Sequence, residues 1–312
     1  MLKNVLVTGA SGFIGRHVVR VALTKPAVRV RLIHRGPEAP VGEMIEAVRA
    51  DLMDPASLRG LCEGIDAVVH CASAVGGDEQ SLRTVNELGT RALVDEALRQ
   101  GVRRIVYMST AAVYGRGPFH NAEPADLAQA PASVTSRTRA AAERHVLAAG
   151  GTVLRPHLVY GTGDRWVVPA LAGLIRFLGA GVECASVHSA VDVGALAEVA
   201  VTAALQEHDL PAVFHVNHPR PVSVAALIDL VSRQLELPEG ELLSLRRARE
   251  LAEGSPPALH HLEMLGTNHW FSSEPVWQEL GCAPGPPPLD GLAAHVAWYG
   301  PLLRPAASAQ AR

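Results

Sequence analysis

The sequence predicts an α/β fold, a doubly wound parallel sheet covered by helices on both faces, with a smaller C-terminal region. Three observations predict it. Short β-branched runs alternate with helical patterns through the first half of the 312 residues, the rhythm of strand–helix–strand units. A glycine-rich turn stands between the first run and the first helical pattern. After Gly161 the rhythm loosens, and between 240 and 290 proline and glycine become frequent.

Taken in order, Val5–Val7 is expected as the first strand and Gly12–Leu23 as the first helix. Val28–Ile33 is the second strand, Val48–Ala50 a short third one ending at Asp51, Ala67–His70 the fourth and Arg104–Met108 the fifth. Helices are expected over Val85–Arg99 and Thr135–Ala148, and a sixth strand over Thr152–Leu158. Phe214–Val216 reads as one more strand and Val224–Leu235 as a helix, whereas 240–290 reads as irregular.

Composition narrows the function classes. Hydrophobic residues at 48% with 19% charged residues indicate a folded globular chain rather than a disordered one. The net charge is −3, with no basic block beyond Arg103-Arg104, which argues against nucleic acid as a partner. No apolar run approaches the roughly 18 residues of a membrane span. The N-terminus enters a strand almost at once, so no signal peptide and a cytoplasmic location are expected. Cys62, Cys71, Cys184 and Cys282 lack C-x-x-C spacing and read as reduced thiols. His260-His261 has no partner at ligand spacing, so no metal site is expected. The partner expected is a small molecule, and both a monomer and a homodimer stay open.

Thr8-Gly9-Ala10-Ser11-Gly12-Phe13-Ile14-Gly15 lies between the first strand and the first helix. Gly9 suits a tight turn, Gly12 a close approach of backbone to a pyrophosphate, and Gly15 close helix–strand packing. Amides at the helix N-terminus then face the phosphates, as in Rossmann dinucleotide sites. The end of the second strand meets the adenosine ribose in such sites, where an acidic residue would repel a 2′-phosphate. Here the sequence is Ile33-His34-Arg35, followed by Gly36-Pro37. Arg35 is a planar fork suited to phosphate, Arg16 adds to it, and NADPH is therefore the expected cofactor. Asp51-Leu52 is placed at the adenine edge and Cys71-Ala72-Ser73 beside the pyrophosphate and nicotinamide ribose. The chain thus divides into a dinucleotide-binding domain over 1–162, with a returning segment about 190–217. A substrate-binding region covers 163–189 and 218–303, and a frayed tail covers 304–312.

These motifs resemble those of extended short-chain dehydrogenases/reductases. The resemblance rests on Thr8–Gly15, Asp51-Leu52, His70–Ser73, Asn86 with Gly89-Thr90, Ser109–Gly115, Arg155–Gly161 and Trp298-Tyr299, which together span nearly the whole chain. It implies that Thr110 hydrogen-bonds a substrate carbonyl and that Pro156, His157 and Leu158 lie against the nicotinamide. It also places the family's catalytic tyrosine on Thr135 and its lysine on Arg139. That is a severe departure. None of the four tyrosines (Tyr107, Tyr114, Tyr160, Tyr299) is followed by a lysine four residues on, and Lys3 and Lys25 are the only lysines. A threonine hydroxyl is far less acidic than a phenol, and an arginine stays charged and cannot donate a proton, although it can still hold ribose hydroxyls. His157, or His120 in the loop after Tyr114-Gly115, could stand in as the acid. Atypical members of this kind occur in actinomycete antibiotic pathways. The resemblance thus implies an NADPH-dependent ketoreductase for a hydroxyaryl, aromatic-polyketide-like ketone whose proton comes from the substrate or solvent. A non-catalytic NADP(H) sensor and an epimerase or dehydratase on the same scaffold stay open. Trp166, Phe177 and Trp270 are apolar candidates for substrate contact.

Overall fold

In the computed structural model, residues 2–36, 42–237 and 242–303 are described; Pro37 and the expected tail at 304–312 lie outside them. β1 (Lys3–Thr8) ends where the glycine turn begins, and α1 (Phe13–Thr24) follows it. β2 (Val28–His34), β3 (Ile45–Arg49) and β4 (Ala67–His70) come next. α2 (Glu79–Leu82) passes through a π-helical turn at Arg83–Leu88 into α3 (Gly89–Arg99). β5 (Arg104–Met108), a short β6 (Phe119–Ala122), α4 (Val134–Ala148) and β7 (Thr152–Arg155) complete the first half. The second half holds β8 (Leu158–Tyr160), α5 (Val167–Leu178), β9 (Val182–Glu183), β10 (Val187–His188), β11 (Ala190–Asp192), α6 (Val193–Leu205) and β12 (Val213–His215). β13 (Val222–Ser223), α7 (Val224–Gln234), β14 (Leu243–Ser244), α8 (Leu245–Leu251), α9 (Pro256–Leu265), β15 (His269–Phe271), α10 (Glu274–Leu280), α11 (Pro288–Ala294) and α12 (Val296–Leu303) follow.

Seven strands form one sheet in the order β12-β7-β5-β4-β1-β2-β3, and every pairing in it is parallel. Successive side chains of a strand face opposite ways, so each strand feeds two cores. Val5 and Val7 pack with α1 and α6, against Val18, Ala22, Leu196 and Ala200. Leu6, between them, packs with α3 and α4, against Leu93, Ala97, Ala142 and Val146. This double burial is why the strands read as unbroken apolar runs. A third core, around Tyr160, Leu171, Ile175, Leu227 and Leu262, belongs to the C-terminal region.

Two departures from the sequence expectations have clear causes. The expected strand Thr152–Leu158 is broken: β7 stops at Arg155, and β8 pairs instead with β11. Pro156 cannot donate a ladder hydrogen bond, and the break leaves His157 on the wall of a cavity. The stretch 240–290 is not irregular. It holds α8, α9, α10 and the start of α11, and α9, α10 and α11 each carry proline in the first turn. Proline at that position initiates helices rather than breaking them.

Candidate active site

The glycine turn is held too tightly for side chains. Gly9 has φ +67°, and a Cβ there would lie 2.7 Å from the Ala72 nitrogen. A Cβ on Gly15 would lie 2.1 Å from the Gly9 carbonyl oxygen. No side chain caps α1 at Gly12, so its first-turn amides are left for an anion. A buried relay fixes the turn against β4. Thr90 donates its hydroxyl proton to the Asn86 carbonyl (2.5 Å), so it accepts from His70 Nε2 (2.8 Å). His70 Nδ1 then accepts from the Thr8 hydroxyl (2.6 Å), whose oxygen accepts from the Ala72 amide (3.2 Å). Burial, aided by the nearby Arg139 charge, pushes His70 down to about 3, which keeps this relay neutral.

The cleft opens on both sides of that turn. At the adenosine end a cavity of about 320 Å³ is lined by Gly9, Ser11, Gly12, Arg35, Asp51, Leu52, Cys71, Ala72 and Ser73. An adjoining cavity of about 470 Å³ brings Arg16 and Arg35 to one wall with Ser11 and His34. Arg16 donates to the Gly12 and Ser11 carbonyls (3.1 and 3.0 Å), which holds its guanidinium beside the turn. Burial pushes the Cys71 thiol up to about 12, so it is a wall and not a nucleophile.

At the other end a cavity of about 450 Å³ is lined by Gly12, Phe13, Ile14, Gly15, Thr110, Arg139, Pro156 and His157, and it shares Gly12, Cys71 and Ser73 with the adenosine pocket. Thr110 Oγ1 accepts from the Ala112 amide (3.2 Å), which leaves its proton for another acceptor. Arg139 donates to the Met108 carbonyl (2.6 Å), while its Nε is buried without a partner. The Arg139 side chain is half-buried and lines the cavity, while its Nε faces into the protein. Among the described residues lining this cavity there is no tyrosine and no lysine. The four tyrosines are buried elsewhere: Tyr114 bonds Arg155 and His215 (2.6 and 2.7 Å), and Tyr299 bonds the Gly161 amide (2.9 Å).

Buried polar groups brace this end. Asn86 Oδ1 accepts from the Ala74 amide (2.7 Å) while its Nδ2 donates to Thr138 (3.0 Å), tying the loop after β4 to the helix that carries Arg139. Glu143, fully buried, accepts from Arg155 at 3.0 and 2.5 Å, from Gln129 at 2.6 Å and from Ser109. His157 meets His188 and His269, and burial, reinforced by the neighbouring imidazoles, holds it well below its ordinary value.

The structure also places residues that local motifs did not single out. Val75, Met108, Asp164 and Val167 line the same cavity with Trp166, and Ser109 and Val159, from quoted motifs but given no role there, line it too. Asp164 accepts from the amides of Trp166, Val167 and Val168 (2.7 to 3.0 Å) and so starts α5 at the cavity mouth; an aspartate just before an apolar run was its sequence signal. Three expected residues lie elsewhere. Thr135 sits in the first turn of α4 and is not among the lining residues. Leu158 packs against the C-terminal core. His120 is exposed on β6 and bonds Asn268 (3.3 Å).

The family model described as "NAD dependent epimerase/dehydratase family" matches residues 5–193. The chain belongs to the NAD-dependent epimerase/dehydratase family. A protein named 2-alkyl-3-oxoalkanoate reductase, from Stenotrophomonas maltophilia, is 28% identical over 90% of this chain and 94% of its own length. Sterol demethylase protein B of Methylococcus capsulatus is 34% identical, but the match covers only 54% of each chain. Among solved structures, the Bordetella bronchiseptica enzyme WbmH with NAD+ superposes with a TM-score of 0.77 at 22% identity, over 96% of this chain and 99% of that one. A UDP-glucose 4-epimerase of Thermotoga maritima gives 0.76 at 19% identity, over 96% and 99%. These likenesses are to an extended short-chain dehydrogenase/reductase fold. The glycine turn fits the nicotinamide dinucleotide of an oxidoreductase in this family.

Proposed function

We propose that this protein is an NADPH-dependent ketoreductase acting on a hydroxyaryl ketone of aromatic-polyketide type, in antibiotic biosynthesis. Angucyclinones of the kind found in simocyclinone are the substrate class in view. The observation that carries the reading is the nicotinamide-end cavity, where Thr110 and Arg139 are present and no tyrosine or lysine is. A full-length likeness to a protein named as a reductase supports the reaction type. Arg16 and Arg35 on one wall of the ribose-end cavity support NADPH over NADH.

A bound nicotinamide supplies the hydride. Arg139, on the cavity wall, would hold the ribose hydroxyls, and the α1 amides the pyrophosphate. Thr110 donates its free hydroxyl proton to the substrate carbonyl oxygen and orients it. Neutral His157 packs beside the ring and carries no charge to give. The alkoxide left by hydride addition then takes its proton from a hydroxyl on the substrate that is hydrogen-bonded to the ketone, a phenol near pKa ~10. The phenolate left behind is reprotonated by solvent, so that net addition of one hydride and one proton gives the alcohol.

The test is NADPH oxidation with a panel of hydroxyaryl ketones and their O-methyl ethers. Methylation is expected to abolish turnover with binding retained, while Thr135→Val stays within about an order of magnitude of the parent, below the 10²–10⁴-fold contribution of a general acid. Brisk reduction of a plain ketone, lost on His157→Phe, would return the proton donation to the enzyme.

A further inference from the structure

Three histidines distant in sequence meet behind the cavity wall, on which His157 lies. His157 follows β7, His188 ends β10 and His269 opens β15. One ring nitrogen of each lies within 4.8 Å of those of the other two. His157 Nε2 is 3.0 Å from His188 Nδ1, and the three ring centroids are 5.0 to 5.2 Å apart. The trio does not satisfy itself. His269 donates Nδ1–H to the Thr267 carbonyl (2.9 Å), so its Nε2 is a bare lone pair, buried without a partner. His188 Nε2 is buried and unpartnered as well. Native proteins rarely leave such atoms unmatched.

We infer that His157, His188 and His269 bind one divalent transition-metal ion of the imidazole-preferring class, for which zinc is the representative. Metal–nitrogen bonds of about 2.0–2.1 Å place tetrahedral ligand nitrogens about 3.3 Å apart and their ring centres about 5.2 Å apart. The observed centroid spacing already has that value, and the closest nitrogen pair needs only a slight opening. The Thr267 carbonyl on His269 Nδ1–H is the outer partner that fixes a ligating imidazole's tautomer. The His157 amide, held by Asn217 Oδ1 at 2.8 Å, anchors a second ligand. Imidazole-only sites select zinc, cobalt, nickel or copper over magnesium or calcium. Three protein ligands leave a tetrahedral ion one position for water or another donor. This site does not depend on the reductase reading.

The test uses tag-free full-length protein dialysed against chelator. Titration with zinc chloride in a calorimeter is expected to show one equivalent bound at micromolar affinity or tighter, and cobalt(II) to give the visible bands of a four-coordinate ion. His188→Gln and His269→Gln should each weaken zinc at least 100-fold, whereas the His260→Ala/His261→Ala pair should leave binding intact. No stoichiometric uptake by the parent overturns the site, as does uptake that survives His269→Gln in folded protein or is lost with the surface pair. If the core variants fail to fold, X-ray absorption of the cobalt-loaded parent decides: three imidazole ligands support the site, and fewer refute it.

Discussion

The adenosine end of the cleft is walled by backbone and small residues, the nicotinamide end by side chains brought from distant elements. Gly9 at the first end, and Gly15 in the same turn, fit because nothing larger can, and the binding groups of the turn are amides that every sequence possesses. At the second end Thr110, Arg139 and His157 come from the end of β5, from α4 and from the break after β7, and each is fixed by a neighbour of its own. The first end thus depends on backbone, and the second on side chains that can be exchanged one at a time. Substituting the proton donor leaves the phosphate cradle untouched, because the two share only Gly12, Cys71 and Ser73 as walls.

The largest expected effect breaks the second end. Glu143→Gln leaves Arg155, only 4% exposed, without its counter-charge. Removing one partner of a buried pair costs about 3–5 kcal/mol, a fall in melting temperature of roughly 10 °C. A shift within 2 °C or so by calorimetry would mean that the pair does not hold this end together.

Acid should strain both ends. Burial pushes His70, under the glycine turn, to about 3 and His215, beside Tyr114, to about 4. Unfolded, both titrate near 6.5. The unfolded chain thus takes up these protons first, so stability is full above about pH 6.5 and falls as the pH drops toward 4. Near pH 5 the two together should lose about 3 kcal/mol per pH unit. A urea midpoint that stays flat from pH 7 to 4.5 would contradict it.

Gly15→Ala tests the glycine turn that lies between the two ends. Its Cβ would meet backbone at 2.1 Å, so the turn must open. Dinucleotide affinity, followed by nicotinamide fluorescence, should fall roughly a hundredfold, about 2.7 kcal/mol. Arg35→Asp sharpens the same comparison with the smallest effect. It should lower NADPH affinity about ten- to a hundred-fold and spare NADH, the loss of one charge-assisted contact. Equal affinity of the parent for both dinucleotides would remove Arg35 from the site.

What was legible follows the same division. The glycine turn, Arg35, Asp51 and Cys71–Ser73 could be read locally, because each lies within a few residues of the strand end that aims it. Ser109, Asp164 and Val167 were harder, because their places on the cavity wall depend on Glu143 and on where α5 starts. The helices of 240–290 were missed because proline at a first turn was taken for a breaker.

The sequence by itself determined the parallel sheet, the phosphate turn, and the lack of any tyrosine–lysine pair at the family's spacing. These depend on period, on glycine and on composition, which are local properties. Tertiary structure alone decided that Pro156 splits the strand before His157, that Thr135 and Leu158 lie off the lining, and that His157, His188 and His269 converge. Each of these depends on packing between segments far apart in the chain, and no spacing rule carries that information.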